Sequence, residues 1–363
     1  MSLVLDHPSN DEFEITVIGT GGGYGETILI HLSQREWIVV DSCKDPISKK
    51  ILGLDYLKQI GVKVDTEVKM IVCTHWDDDH IKGISDIFEE CKAAIFCISA
   101  VRDRPKFLQL VSLDYEKLDK IGSVSSTKEL MACLKIIQQR DIPMRSAMQD
   151  RNLYSTQLDN EHVQVHSLSP SDRSMELYDS EISRLISEYG SPAKKLIQSP
   201  NQKSVVLYLK LGRHRAILGA DLEVTGSQLT GWECILQSSQ SIDQSSSYIK
   251  ISHHGSENGY HSDIWTELLE KNPLATLTPW NKNHGLPQQK MVELYKGHTD
   301  KLYITSNITS TSSKKRDSDI EKAMARHGVK TREIRYYEGI IRSRIKLDQS
   351  AWTTALSGYA KQL

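Results

Sequence analysis

Short apolar runs that end in polar residues recur along this chain. Most have the length and the Val, Ile and Leu content of buried β-strands. The clearest runs cover residues 14–19, 37–43, 70–73, 204–209 and 249–251. Helical patterns stand between such runs, at residues 46–60, 127–139 and 261–271. Because strands alternate with helices, the pattern predicts an α/β protein.

Two stretches depart from this rhythm. Residues from about 100 to 162 contain a predicted helix between polar loops, and we interpret them as an inserted cap. A second added helix is predicted at residues 174–189. Insertions of this kind commonly shape a substrate cleft. We therefore predict one domain over residues 1–345, with residues 346–363 as an extension that packs on the core or on a partner.

The composition is that of a soluble enzyme. The chain has 363 residues, of which 39% are hydrophobic and 25% charged, so a sizeable core is possible. No run approaches the roughly 18 apolar residues of a membrane span, and the first residues show no secretory signal pattern. The 6 cysteines are scattered without a Cys-x-x-Cys pair, which favours reduced core residues. We expect a cytoplasmic protein with no membrane partner.

The charge gives no general attraction to nucleic acid. The formal net charge is −2, so any basic groove would have to be local. The candidate basic patches are Arg102, Arg104 and Lys106; Lys314, Lys315 and Arg316; and Arg335, Arg342 and Arg344. Each of these patches has the simpler interpretation of a solvated surface.

The densest chemistry follows the apolar run at residues 70–73. Four potential metal ligands, His75, Asp77, Asp79 and His80, lie within one short loop at the end of a predicted strand. A rigid strand can direct such side chains toward one point. Acidic residues alone would be typical of a solvated turn, but the flanking histidines favour a metal site.

This loop resembles the His-x-His-x-Asp-His signature of the metallo-β-lactamase superfamily, with Asp77 where most members carry the second histidine. Later segments agree in the same order along the chain. They are the Asn-x-x-Ser segment at 201–204, the Gly-Ala-Asp strand end at 219–221, Ser-His-His-Gly-Ser at 252–256 and the His-Gly-Leu-Pro loop at 284–287. The chain is most similar to the hydrolase domain of the bacterial competence DNA-uptake channel protein, here as a free-standing soluble protein. This resemblance implies a four-layer αββα sandwich with a helical insertion.

The resemblance also implies two divalent metal ions bridged by Asp221. The other ligands would be His75 and Asp77 for one ion, and Asp79, His80 and either His253 or His254 for the other. We favour His254, because neighbouring side chains at a strand end point to opposite sides, so that His253 would face the substrate. Asp77 makes the donor set richer in oxygen, which favours manganese or magnesium without excluding zinc.

Three other features of the sequence have less direct roles in this interpretation. Asp41, after the predicted strand at 37–43, matches an aspartate that supports a ligand loop. His166 precedes the expected strand pair too early to be a ligand. The glycines at 21–23 precede a β-branched apolar run, so they indicate a tight β-turn beside the active site and not a phosphate-binding loop, which would open a helix.

The leading hypothesis is a metal-dependent phosphodiesterase or nuclease in which a dinuclear metal centre activates water. The candidate catalytic residues are Asp79, His253 and His284, the histidines holding a phosphoryl oxygen. Nucleic acid or another phosphodiester would be the partner. A hydrolase of a small ester, cyclic nucleotide or lactone would use the same ligands in an enclosed pocket. A non-catalytic binding protein that keeps the fold is the third alternative.

Overall fold

Two β-sheets packed face to face form the centre of the fold. The computed structural model describes residues 5–23, 25–120, 126–158, 161–187, 201–281, 285–308, 326 and 337–363. The strands in these residues are β1 Glu12–Gly19, β2 Glu26–Ser33, β3 Glu36–Val40, β4 Val68–Cys73, β5 Ile95–Ser99, β6 Arg145–Ala147, β7 Arg151–Leu158, β8 Glu161–Ser167, β9 Leu207–Leu211, β10 His214–Leu218, β11 Ser246–Lys250, β12 Leu269–Leu277, β13 Leu302–Ile304, β14 Gly339–Lys346, β15 Thr353–Gly358 and β16 Lys361–Gln362. The first sheet has the order β15-β14-β1-β2-β3-β4-β5-β6, and the second β16-β13-β12-β11-β10-β9-β8-β7.

The two sheets enclose one apolar layer. Phe13, Ile15 and Val17 of β1 belong to the same buried cluster as Leu207 and Leu209 of β9. In each strand these residues alternate, because successive side chains of a β-strand point to opposite faces. The pattern of apolar residues therefore fixes which face of each sheet meets the other.

Helices cover the outer face of each sheet. The α-helices are α1 Leu52–Gln59, α2 Val64–Glu67, α3 Asp78–Ile81, α4 Ile84–Glu90, α5 Arg104–Lys120, α6 Ser126–Arg140, α7 Asp172–Ser187, α8 Gly231–Ser238 and α9 Gln289–Lys296. Leu57 of α1, Phe107 of α5 and Ile182 of α7 share a buried cluster with the first sheet, and Ile235 of α8 and Met291 of α9 share one with the second. Within the described residues, no helix is long and apolar enough to cross a membrane. The predicted four-layer αββα sandwich is confirmed.

The helix predicted at residues 46–60 begins only at Leu52. Oδ1 of Asp45 accepts a 2.7 Å hydrogen bond from the backbone N–H of Ile47, and Oδ2 accepts one from the hydroxyl of Ser48. Such local side-chain bonds stabilise a turn that competes with the helix. The first part of this helix prediction is therefore wrong.

The helix predicted at residues 261–271 is also wrong over its second half. A π-helix covers Ile264–Leu268, and β12 begins at the next residue. Pro273 lacks a backbone N–H and disfavours helical geometry at Asn272, which has a φ of 58°. The segment instead pairs with β11 and β13 inside the second sheet.

Residues 100–162, interpreted as an inserted cap, contribute to both sheets. Helices α5 and α6 pack on the outer face of the first sheet, β6 extends that sheet beside β5, and β7 joins the second sheet through β8. Residues 346–363 likewise supply β15, which pairs with β14, and β16, which pairs with β13. The sequence pattern hid these strands because β6 has only 3 residues and β7 is mostly polar.

The glycine-rich segment after β1 connects two antiparallel strands, as predicted. Gly19 pairs with Glu26 at the loop end of the hairpin. Gly25 has a φ of 126°, and a Cβ there would overlap the backbone carbonyl of Asp79 and lie 2.8 Å from Cβ of Cys43. Only glycine therefore allows this loop to pack directly on the loop that carries the predicted ligands.

His31, in β2, is a buried neutral histidine far from the predicted ligands in sequence. Its Nδ1 donates a 2.7 Å hydrogen bond to the backbone carbonyl of Glu12, and its ring lies 5.0 Å from that of Trp37. Burial lowers the pKa of His31 to about 3. Between pH 6.5 and about 3, His31 is therefore neutral in the folded protein but protonated in the unfolded chain.

We predict that His31→Gln makes stability less sensitive to acid. The unfolded chain binds more protons than the folded protein between the ordinary histidine pKa of 6.5 and about 3, so stability is lost as the pH falls through this window. One such histidine costs roughly 2 kcal/mol between pH 7 and pH 5. In urea unfolding, the loss of stability between these pH values should be smaller in His31→Gln than in the exposed control His162→Gln. Equal losses in the two variants would contradict the prediction.

Candidate metal centre

Strand ends from both sheets meet at one edge of the sandwich. β3 and β4 are parallel neighbours in the first sheet, as are β10, β11 and β12 in the second. Since the C-terminal ends of parallel strands lie at the same edge, the polar residues that follow them come together there. These residues are Asp41 after β3, residues 74–80 after β4, Asp221 after β10, His253 and His254 after β11, and Thr278 after β12.

Four buried side chains, Asp79, His80, Asp221 and His254, form what we call the acid–imidazole cluster. One ligand atom from each lies within 4.8 Å of the others. Oδ2 of Asp221 is 3.4 Å from Nε2 of His80 and 3.6 Å from Nε2 of His254. Oδ2 of Asp79 is 3.4 Å from Nε2 of His254 and 3.7 Å from Nε2 of His80. Two carboxylates and two imidazoles around one point suit a divalent transition metal.

Asp41 supports the ligand loop, as the sequence indicated. Its Oδ2 accepts a 2.8 Å hydrogen bond from Nδ1 of His80. Oδ1 of Asp41 accepts a 2.7 Å hydrogen bond from the backbone N–H of Thr74, and Oδ2 accepts one of 2.7 Å from the Thr74 hydroxyl. Oγ1 of Thr74 is 3.0 Å from Nδ1 of His75. One buried carboxylate thus orients two imidazoles, which leaves their Nε2 atoms facing the cluster.

The inward atoms of the site fit a metal ion. Nε2 of His75, His80 and His254 and Oδ1 of Asp221 are buried and have no hydrogen-bond partner among the described residues. The carboxylate oxygens face these nitrogens at 3.4–3.8 Å, which is too long for good hydrogen bonds. Buried polar atoms without a partner cost about 1–3 kcal/mol each, so several at one point indicate a site built for a ligand. A divalent cation would satisfy all of them.

The electrostatics of the cluster also favour a cation. Burial opposes ionisation of Asp221, but the charges of His80 and His254 hold its pKa well below the usual range. Asp79 behaves in the same way, and its pKa is lowered to about 2. Conversely, burial opposes a charged His80, yet Asp221, Asp41 and Asp79 raise its pKa well above the ordinary value. The carboxylates and imidazoles thus stabilise each other as opposite charges, and a divalent cation would take the place of the imidazole protons between the two carboxylates.

His75 lies beside the cluster, whereas Asp77 stands at its margin. Nε2 of His75 is 3.8 Å from Oδ2 of Asp221. Burial and the charge of His80 lower the pKa of His75 to about 3, so its imidazole is neutral and can act as a ligand. Asp77 is only partly buried, and its backbone carbonyl accepts the first hydrogen bonds of α3. Burial and the charge of Asp79 raise the pKa of Asp77 to about 6.

His253 contacts a different set of residues from His254. Nδ1 of His253 lies 3.1 Å from Oδ1 of Asn258 and 3.3 Å from Oε1 of Glu223, while Nε2 lies 3.2 Å from Nδ2 of Asn201. The two histidines have φ values of 45° and 53°. Positive φ is uncommon for residues other than glycine and occurs often at functional sites. This turn directs consecutive imidazoles to separate partners.

Of the other residues considered from the sequence, His284 lies outside the described residues. His166 is on β8, where its Nδ1 is 3.2 Å from Oγ of Ser241. Sequence reasoning missed Glu26 and Lys250, which form a fully buried ion pair behind the cluster. The available signal was a single charge among the apolar residues at 248–251, where Lys250 stands.

Four residues of the basic patches, Arg102, Lys106, Arg342 and Arg344, form ion pairs within the protein. Arg102 is 3.0 Å from Asp172, and Arg342 and Arg344 are each 2.7 Å from Asp6. Patch residues that lie outside the described residues are Lys314, Lys315, Arg316 and Arg335. The described arginines therefore add little unbalanced positive charge to the surface.

No protein-family model matches the chain, and no curated protein matches its sequence. Solved structures similar to it include the metallo-beta-lactamase fold protein YhfI from Bacillus subtilis, with 13% identity over 66% of this chain and 70% of that chain and a TM-score of 0.34. Others are the hydrolase AbOPH in the beta lactamase superfamily, with 13% identity, 61% and 74% coverage and a TM-score of 0.36, and the flavodiiron protein from Giardia intestinalis, with 12% identity, 54% and 32% coverage and a TM-score of 0.26. At these TM-scores, the fold assignment rests on the chain's own strand order and helix layers. The similarity to the competence-channel hydrolase domain stays a prediction.

We predict that Asp79→Asn weakens binding of zinc or manganese more than about 100-fold, because a direct ligand should matter more than a supporting residue, whose loss typically costs 10–100-fold. Calorimetric titration of the purified protein measures this change. The control is Asp78→Asn, which alters the neighbouring exposed carboxylate that pairs with Lys82 at 3.0 Å. Equal affinities in the two variants would mean that Asp79 is not a ligand.

Proposed function

We propose that this protein is a metal-dependent hydrolase that cleaves phosphodiester bonds, with the acid–imidazole cluster and His75 at its centre. The main support is the set of buried Nε2 atoms on three histidines, which face two carboxylates and have no hydrogen-bond partner among the described residues. A divalent ion bound there supplies Lewis-acid polarisation of a phosphoryl oxygen. The residues themselves hold that ion at a buried strand edge, where catalytic geometry is rigid.

In this proposal Asp221 is shared between two metal positions. Its Oδ2 lies 3.8 Å from Nε2 of His75 and 3.6 Å from Nε2 of His254, so one carboxylate faces ligands of both positions. Asp79, His80 and His254 are assigned to one position, and His75 and Asp77 to the other. Three carboxylates make the donor set oxygen-rich, which suits zinc or manganese and allows magnesium.

His253 is assigned to the substrate. Its ring is partly exposed and is fixed by Glu223 and Asn258 on one side and by Asn201 on the other. A phosphoryl oxygen would take the place of the Asn201 amide at Nε2, while Glu223 and Asn258 keep the imidazole oriented through Nδ1. His284 remains a second candidate for this role, on the strength of the resemblance.

We predict that His253→Gln lowers kcat about 100-fold, the usual order for losing one positioned hydrogen-bonding group, and leaves metal content unchanged. Steady-state kinetics and metal analysis of the same preparation measure the two effects. His261→Gln, in the segment that follows, is the control. An unchanged kcat, or metal lost together with activity, would contradict the assignment.

A small diester or ester is the second candidate substrate. The specific observation is that Arg102, Arg342 and Arg344 form ion pairs within the protein. Binding of a nucleic-acid backbone depends on neutralising several phosphates with free Lys or Arg side chains. Because these arginines are engaged, a compact substrate that contacts only the metal centre is a candidate alongside a polymer.

We predict metal-dependent cleavage that is lost in both Asp79→Ala and Asp221→Ala but kept in Asp78→Ala. The assay offers labelled single- and double-stranded DNA and RNA, and separately bis(p-nitrophenyl)phosphate, with zinc, manganese or magnesium. Cleavage of the polymers would support a nuclease, and cleavage of only the small diester a small-molecule phosphodiesterase. Metal binding without cleavage of any substrate would favour a non-catalytic binding protein and contradict the proposal.

A further inference from the structure

A chain of buried polar groups leads from the metal centre to the space between the sheets. Nδ1 of His254 lies 3.2 Å from Oγ1 of Thr278, whose hydroxyl donates to Oε2 of Glu26. Oε1 of Glu26 accepts from Nζ of Lys250. Lys250 is 0% exposed and Glu26 1% exposed. We call Lys250, Glu26, Thr278 and His254 the lysine relay.

The hydrogen bonds of the lysine relay converge on Glu26. A lysine ammonium only donates and a carboxylate only accepts, so Glu26 accepts from both Lys250 and Thr278. Oγ1 of Thr278 then remains free to accept from His254. The backbone carbonyl of Thr278, 3.1 Å from the same Nδ1, is also an acceptor. Nδ1 of His254 therefore carries a hydrogen in either protonation state, and Nε2 presents its lone pair once a metal ion displaces the second proton.

A matching arrangement stands on the other side of the site. There Asp41 accepts from the hydroxyl of Thr74, whose oxygen lies 3.0 Å from Nδ1 of His75. On each side of the site, a carboxylate accepts a hydrogen bond from a threonine hydroxyl, and the threonine oxygen lies next to Nδ1 of a histidine. The lysine relay differs in that Glu26 starts β2 of the first sheet, whereas Lys250 and Thr278 belong to strand ends of the second.

We propose that Glu26, Lys250 and Thr278 are positioning residues that hold His254 in the tautomer and orientation needed to bind a divalent metal ion. This inference rests on the proposed metal centre. A buried ion pair is weak evidence for a stabilising role, because desolvation can outweigh the attraction of its charges. The position of this ion pair directly behind a metal ligand has an explanation if Lys250 neutralises the charge of Glu26. Glu26 is then a strong acceptor for the Thr278 hydroxyl and leaves no unbalanced buried charge.

The first test compares two valine substitutions in the same segment. Thr278→Val removes the hydroxyl of the relay but keeps the backbone carbonyl. Thr276→Val removes an equally buried hydroxyl that contacts the Tyr248 hydroxyl at 2.9 Å and lies outside the relay. Dissociation constants for zinc and cobalt, from competition with a chelator, should rise 10–100-fold in Thr278→Val and stay unchanged in Thr276→Val. Thr278→Ser should restore most of the affinity.

A second variant keeps the inference testable if Thr278→Val does not fold. Glu26→Gln retains the size of the side chain but removes its charge, and it should weaken metal binding and alter the visible spectrum of the cobalt-loaded protein. The unfolding temperature of each metal-free variant separates this effect from a loss of folding. A wild-type protein that binds no metal would overturn both this inference and the proposed function. Metal binding that is normal in Glu26→Gln and Thr278→Val, or equally weak in Thr276→Val, would overturn the positioning role alone.

Discussion

The burial of carboxylates and imidazoles at the junction of two sheets is the constraint on which the rest of the site depends. Away from water, a polar atom without a partner costs about 1–3 kcal/mol, so each side chain must be held on one side by the protein. A carboxylate holds Nδ1 of His80, and threonine oxygens contact Nδ1 of His75 and His254. The remaining inward atoms converge on one region, which gives the fold a place for a cation.

Much of the site could be predicted because its chemistry is local in sequence. His75, Asp79 and His80 follow one apolar strand, and strand ends aim side chains reliably. Asp221 and His254 are distant in sequence, and only the order of motifs suggested that they belong with the ligand loop. The α/β class followed from the alternation of apolar runs with helical patterns, whereas the four-layer sandwich was what the family resemblance implied.

The parts that sequence could not supply depend on contacts between distant segments. Glu26 and Lys250 look like unrelated charges until the two sheets face each other. The strands at 145–158 are too short or too polar to be recognised without their partners. Asp77 has the spacing of a ligand, yet its position at the start of α3 leaves it at the margin of the cluster. The turn at Asp45 delays the start of α1, which helix propensity alone does not reveal.

The lysine relay also links the proposed metal site to the order in which the chain folds. Glu26 is separated by 224 residues from Lys250 and by 252 residues from Thr278. Contacts of such long sequence separation form slowly, because the chain must close a large loop before they contribute. During synthesis, the first half of the chain carries the ligand loop without Asp221 or His254. A metal site that needs Asp221 and His254 would therefore be complete only once both sheets have docked.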